Sequence, residues 1–152
     1  MKKHILSLAM GLAIFGFANA SSGDNDKTSA ASERAQKNFN KTHRDVTNET
    51  WYTVQNGFKV EFTQDGRLTR SVYGKRGNWL YSIEYYKADN LDRDLIDIVK
   101  TEYDRYYISA VEKVETSASD PVFVVHLEDQ NSFKTLRVHK TDIELVQDFK
   151  KG

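Results

Sequence analysis

The sequence predicts an α+β fold in which two helices pack on one face of a single antiparallel sheet. Residues 91–107 have apolar side chains at the i, i+3, i+4 and i+7 spacing of an amphipathic helix. Most of the chain after residue 45 instead alternates apolar with polar residues, as half-buried strands do. One apolar helix face and a set of half-apolar strands bury surface only against each other, so we expect them to form one domain.

The first 20 residues are typical of a secretory signal peptide. Two lysines precede an apolar run over residues 5–17, and the small residues at 18–20 suit cleavage after Ala20. A membrane anchor is the weaker interpretation, because the run is shorter than the ~20 apolar residues that a membrane span needs. We therefore expect a periplasmic or secreted protein that does not span the membrane after cleavage.

Cleavage would leave 132 residues, with 20 basic and 22 acidic side chains and no cysteine. This balance does not favour nucleic acid or an anionic membrane surface as a partner. Residues 21–32 are small and polar without an apolar period, which predicts a flexible tether. Residues 33–152 are numerous enough to form a single domain stabilised by its own core.

The predicted elements follow the order helix, four strands, helix, four strands. The first helix is predicted over residues 32–43 with Ser32 as its N-cap, and the second over 91–107 with Asp89 or Asn90 as its N-cap. The strands are predicted at residues 50–54, 58–63, 67–73, 79–86, 109–115, 122–128, 133–139 and 143–149.

The two halves of this domain, about residues 33–86 and 91–149, align loosely at an offset of 64 to 66, with Phe39 opposite Tyr103. We interpret the pattern as a tandem α-β-β-β-β repeat. Sequential strands usually pair with their neighbours, so the repeat predicts one meandering antiparallel sheet. The helices would cover one face, and the other face would be left open to water or to a partner.

The turn at residues 64–66 decides which side chains of the following strand face the helices. A two-residue Asp-Gly turn would place Phe62 opposite Thr69 and mix the two faces of the hairpin. A three-residue loop with a glycine bulge would place Phe62 opposite Leu68, and we prefer it because register follows the hydrophobic face. Tyr73 then belongs to the open face of the sheet.

The open face is the predicted partner-binding surface. Tyr73 and Arg67 belong to it in the first half and Arg137 in the second half, while Arg76 lies at the tip of a glycine-flanked loop. Tyrosine and arginine are enriched at protein interfaces. These four residues are therefore the predicted contacts to a protein or peptide.

A set of motifs is shared with one group of exported proteins: Trp51 after the first helix, residues 58–62, 77–80, 91–111 and 122–127. On these motifs, residues 33–149 resemble the small PepSY-like, β-lactamase-inhibitor-like proteins that are common in Bacteroidetes. The resemblance implies a tandem α-β4 fold, a periplasmic or cell-surface location, and binding or inhibition of another protein without catalysis. The chain departs from the pattern at Leu91-Asp92, where Leu-Pro is frequent, and at Lys140-Thr141 in the last hairpin, where Asp-Gly is frequent.

The sequence lacks the residue patterns of common catalytic and metal sites. In a tight hairpin centred on residues 130 and 131, His126 would face Thr135 and His139 would face Val122, so the two histidines do not meet. There is no HExxH motif, no cysteine and no G-x-S-x-G elbow. We therefore predict no catalytic residue, no cofactor and no metal, and a hydrolase is the least favoured hypothesis.

Two hypotheses for function remain. The first is an exported, non-enzymatic module that binds a protein or peptide on its open sheet face. The alternative is an envelope structural or chaperone-like protein whose sheet edge pairs with an extended segment. The sequence does not identify the partner in either case.

Overall fold

The computed structural model describes residues 32–152, so the predicted signal peptide and residues 21–31 of the predicted tether lie outside the described residues. Two α-helices are present in this range, α1 (Glu33–Thr42) and α2 (Arg93–Lys100), and a 3₁₀ turn (Ala88–Asn90) precedes α2. The strands are β1 (Thr47–Val54), β2 (Gly57–Gln64), β3 (Arg67–Gly74), β4 (Trp79–Lys87), β5 (Tyr107–Thr116), β6 (Val122–Glu128), β7 (Ser132–His139) and β8 (Asp142–Lys150).

The eight strands form one antiparallel sheet in the order β1 to β8, so each strand pairs with its neighbours in sequence. The predicted α+β class and the order of one helix and four strands, repeated once, are confirmed. Because every connection is a short hairpin except the one that contains α2, the two units join through the β4–β5 pair.

Helix α1 forms as predicted and packs on the first unit. The Ser32 side chain accepts a hydrogen bond from the Ala35 amide and so caps the helix. Phe39 is fully buried, with its ring centre 5.6 Å from that of Trp51 and 5.0 Å from that of Phe62, both in edge-on contact. The aromatic contacts of Phe39 therefore stabilise a ten-residue helix that would be marginal in isolation.

Helix α2 is half as long as predicted. It begins after Asp92, which caps it in place of the predicted Asp89 or Asn90, and it ends at Lys100. The Lys100 ammonium donates to the Asp104 carbonyl at 3.0 Å, and the Thr101 hydroxyl donates to the Ile98 carbonyl at 2.6 Å. The Thr101 bond satisfies a carbonyl of the last helical turn, and the Lys100 bond holds the segment that follows, so residues 101–106 turn back into β5 without continuing the helix.

The predicted equivalence of Phe39 and Tyr103 is wrong, because Tyr103 lies beyond the end of α2. The buried residues of α1 are Ala35 and Phe39, and those of α2 are Leu95 and Val99. The helices therefore correspond at an offset of 60, below the predicted 64 to 66. The longer predicted offset followed from matching rings by type, whereas the two helix faces bury different side chains.

The predicted glycine bulge between β2 and β3 is also wrong. Gln64 pairs with Arg67 and Phe62 with Thr69, which leaves Asp65 and Gly66 as a two-residue turn. Both have positive φ, 51° and 75°, as a type I′ turn requires. This turn matches the twist of the strands, and that local preference outweighs the gain from placing Leu68 on the helix side.

The change of register moves the side chains of β3 to the other face of the sheet. Tyr73 lies under α1, is 1 % exposed, and has its ring centre 5.7 Å from that of Trp51. Burial raises the pKa of its hydroxyl to about 12. Tyr73 is thus a core residue, and its predicted place on the open face is wrong.

Every buried side chain of a strand lies on the side of the sheet that faces the helices, called here the helix-side face. The core is divided into two clusters. One is formed around Phe39 of α1 on β1 to β3, and the other around Leu95 and Val99 of α2 on β5 to β7. The opposite side, called the reverse face, has no helix packed on it within residues 32–152.

Candidate functional site

The reverse face contains a row of half-buried aliphatic side chains on β4, β5 and β6 that continues to Arg70 on β3. Ile83 of β4 pairs with Arg70 of β3 and with Val114 of β5, which pairs in turn with Val122 of β6. Directly opposite residues of antiparallel strands share a face and lie within contact distance. With their half-buried neighbours they form what we call the reverse-face patch: Val72, Tyr81, Ile83, Tyr85, Val114, Val122 and Val124.

Arg70 connects this patch to a cluster of charges on β2. Its Nη1 donates to the Tyr85 hydroxyl at 3.0 Å, and its guanidinium lies 5.1 Å from the centre of the Tyr85 ring. Its Nε lies 2.9 Å from Glu61 Oε1, and the Lys59 ammonium lies 3.0 Å from the same atom. The Arg70 side chain remains 41 % exposed, so an arginine and a tyrosine are both held in place at an accessible surface.

Arg137 lies on the reverse face in the second unit, as predicted. It pairs with Val124 of the patch, its side chain is 37 % exposed, and its Nη1 donates to Glu144 Oε2 at 3.1 Å. Arg76 is exposed in the β3–β4 turn. That turn is tied to α1, because the side-chain amide of Asn38 donates to the Gly77 carbonyl at 2.7 Å.

Arg67 shares a face with Tyr73, as predicted, but that face is the helix side of the sheet. Its Nη1 lies 2.7 Å from Glu84 Oε1, and its guanidinium lies 4.8 Å from the centre of the Tyr86 ring. The Tyr86 hydroxyl donates to the second oxygen of Glu84 at 2.9 Å. Burial, with a further contribution from Glu84, raises the pKa of Tyr86 to about 12.

Arg67 lines a polar cleft between the two core clusters, which we call the interhelical cleft. Its floor is formed by β3, β4 and β5, where the Ser71 and Ser82 hydroxyls lie 2.7 Å apart and the Trp79 indole donates to Ser82 at 2.8 Å. Two cavities, of about 270 Å³ and 500 Å³, lie side by side here and share His43, Ser82 and Glu115 in their walls. This cleft is not predictable from the sequence, since serine and threonine on half-buried strands resemble a solvated face.

The two outer strands of the sheet, β1 and β8, differ in how readily another chain could pair with them. In β1 the ladder is interrupted between Thr47 and Thr50, and Asn48 has a positive φ of 55°. Strand β8 pairs with β7 through eight of its nine residues, with a bulge at Val146, and exposes Leu145 (46 %) and Phe149 (58 %). An interrupted ladder protects an edge strand from pairing with other chains, and exposed apolar side chains favour such pairing, so β8 is the more accessible edge.

Metal-ligating side chains remain dispersed over residues 32–152, and no three histidine, aspartate or glutamate side chains gather there in a group that could hold a metal ion. His126 faces Thr135, as predicted from the hairpin register, with its Nδ1 3.5 Å from the threonine hydroxyl. Over the same residues, neither helix has the length and apolar character that crossing a membrane requires.

Two α-β4 units on one continuous sheet, with one face uncovered, define a fold that occurs in several solved structures. One is a DUF2874 family protein from Bacteroides ovatus (TM-score 0.64, 15 % identity, covering 81 % of this chain and 89 % of that one). Another is a BLIP-like protein from Bacteroides fragilis (TM-score 0.63, 18 % identity, covering 78 % and 85 %). A third, from Bacteroides eggerthii, is described as a predicted periplasmic protein (TM-score 0.62, 12 % identity, covering 79 % and 88 %).

At these identities the likeness concerns the fold. The BLIP-like architecture implied by the sequence motifs is therefore confirmed, whereas the names of these three neighbours do not support the PepSY part of the resemblance. No protein-family model matches the chain. No curated protein sequence matches it either.

Proposed function

We propose that this protein is an exported, non-enzymatic module that binds a protein or peptide on its reverse face. The observation that carries the proposal is the reverse-face patch, where aliphatic and tyrosine side chains of four neighbouring strands stay partly exposed on a sheet face without a covering helix. Contiguous apolar surface surrounded by polar residues is typical of interaction sites.

The composition around the patch also supports a protein partner. Tyr85 with Arg70, and Arg137 beside Val124, place tyrosine and arginine next to aliphatic side chains, which is the pattern of interface anchors. The names of the BLIP-like and predicted periplasmic neighbours fit an inhibitor-like role in the envelope. Arg76 is outside the patch and would contact only a partner large enough to reach the β3–β4 turn.

Binding through the patch predicts that Tyr85→Ala and Arg137→Ala each weaken the complex at least about tenfold, the effect expected of interface anchors. The purified protein would first be used to isolate partners from an envelope extract of the cells that make it. The affinity of an isolated partner would then be measured for the wild type and for both variants. Arg137 is 37 % exposed, so its removal should leave the fold intact.

A matched control is available on the opposite side of the molecule. Arg34→Ala and Arg93→Ala remove exposed arginines from α1 and α2 and should leave the affinity unchanged. Undiminished binding by a Tyr85→Ala, Arg137→Ala double variant, with circular dichroism like that of the wild type, would contradict the proposal.

The alternative function, capture of an extended segment at a sheet edge, is favoured by the exposed strand β8. Leu145 lies opposite Leu136, three pairs beyond the pair that closes the two-residue turn, so it is in a non-hydrogen-bonded pair and its amide points away from β7. Leu145→Pro should then abolish binding of such a segment while leaving the β7–β8 pairing intact. If the partner of the wild type binds Leu145→Pro normally but not the Tyr85 variant, the reverse face is the site and the edge is excluded.

A further inference from the structure

The interhelical cleft lies on the helix-side face and takes no part in the proposed function. Helix α1 forms one wall through Asn38, Lys41 and Thr42 and also contacts β4. The floor is formed by β3, β4 and β5. The larger cavity, of about 500 Å³, lies within the range of ~300–1,000 Å³ that is typical of small-molecule sites.

The cleft contains four half-buried charges that alternate in sign. Arg67 is paired with Glu84 at 2.7 Å, and Lys113 is paired with Glu115 at 2.6 Å. Glu84 of β4 lies directly opposite Lys113 of β5, so the two ion pairs are neighbours on the floor of the cleft. The remaining walls supply hydroxyl, amide and imidazole groups, the half-buried indole of Trp79, and the exposed, oppositely charged side chains of Lys41 and Asp65.

This charge arrangement selects among ligands. A ligand with a single charge would draw one side chain away from its partner and leave the opposite charge unpaired in a partly desolvated site, which is unfavourable. A ligand that has both an ammonium and a carboxylate can offer a new partner to the basic and to the acidic side chain of each ion pair. The carboxylate would be bound by Arg67 and Lys113, and the ammonium by Glu84 and Glu115.

The spacing of these charges indicates the size of the ligand. Glu84 and Lys113 lie on neighbouring strands about 5 Å apart. The terminal groups of an extended dipeptide are separated by about 5–6 Å, whereas those of a single amino acid share one Cα atom. We propose that the interhelical cleft is a binding site for a short zwitterionic peptide of dipeptide size, with Trp79 in contact with one of its side chains.

The test is a titration of the purified protein with L-Ala-L-Ala, followed by NMR of the Trp79 indole and the Lys113 amide. The dipeptide should produce saturable shifts of both signals. The N-acetylated form should have an affinity at least about tenfold lower, because it lacks one charge-assisted contact, and the N-acetylated, C-amidated form should bind more weakly again, because it lacks two. Free alanine should also bind more weakly, since its two charges are too close together.

Two substitutions on β5 provide a matched pair. Glu115→Gln should weaken dipeptide binding about tenfold, because the amide lacks the charge that binds the ammonium. Glu112→Gln, on the same strand but facing the reverse side, should have no effect. The proposal is overturned if the doubly blocked dipeptide binds as well as the free one, if Glu115→Gln binds normally, or if ~10 mM dipeptide, a concentration that detects millimolar affinity, causes no saturable shift.

This result is independent of the proposed function. A protein partner on the reverse face would be lost in the Tyr85→Ala variant, which should retain dipeptide binding, and the Glu115→Gln variant should retain the protein partner. Each proposed site can therefore be confirmed or rejected without affecting the other.

Discussion

Phe39→Ala is expected to lower the free energy of unfolding by about 3–5 kcal/mol, the usual cost of removing a buried phenylalanine. Phe39 has no exposed surface, and its ring contacts those of Trp51, Phe62 and His43. It is also the main anchor of α1, because Ala35 is the only other side chain of that helix that is buried. Chemical denaturation of the variant and the wild type would measure the difference.

The matched control is Phe149→Ala in β8, where the ring is 58 % exposed. Its replacement should change stability by less than about 1 kcal/mol, as is usual for surface positions. Equal losses for the two variants would show that α1 does not dock through Phe39. Loss of the α1 contribution alone should leave the α2 cluster folded, which the near-ultraviolet signal of Tyr103 and Tyr106 would help to detect.

Gly57→Ala is expected to be the second most damaging substitution. The methyl group at the start of β2 would overlap the backbone carbonyl oxygen of Tyr73, and Gly57 has a φ of 154°. A backbone atom of a paired strand cannot move aside without breaking the β2–β3 ladder. We expect a loss at the upper end of the range of about 1–3 kcal/mol typical of overpacking, or more.

Two effects act against an alanine at position 57, a positive φ and the close approach of the β3 backbone, and Gly66→Ala serves as a control for the first of them. Gly66 has a φ of 75° but no atom within 4 Å of an added methyl group, so only the cost of the left-handed backbone applies, about 1–2 kcal/mol. Thermal unfolding of both variants would compare the two positions. If Gly66→Ala proves as damaging as Gly57→Ala, close approach of the β3 backbone is not the cause.

The architecture could be predicted because it depends on patterns that each strand repeats. Alternation identified all eight strands, and Ser32 was recognised as the cap of α1 from its type and place alone. The end of α2 was missed because Tyr103 and Tyr106 continue the helical spacing, although they pack on the α2 cluster from a turn. Helical spacing indicates which side chains approach the core and does not exclude a non-helical backbone.

The candidate sites depended on one hairpin. The sequence Asp65-Gly66 is itself a signal for a type I′ turn, and accepting it would have placed Arg70 on the open face and Tyr73 in the core. The hydrophobic pattern of β3 competes with this signal, because Leu68 and Val72 lie on one side of the strand. The amphipathic side chain of Tyr73 suits either face, so it does not decide between the two registers. Arg137 was placed correctly, since no ambiguous turn lies between it and its neighbours.

The division of the core into two clusters has a mechanical consequence. Helix α1 packs on the first unit and α2 on the second. Between them, the helix-side surface of β3, β4 and β5 has serine hydroxyls and ion pairs in place of an apolar core. Because no apolar helix contact within residues 32–152 reinforces the sheet there, we expect it to bend most readily along its midline, directly behind Ile83 and Val114. Such a hinge would let one molecule adjust the curvature of its outer surface to fit differently shaped targets.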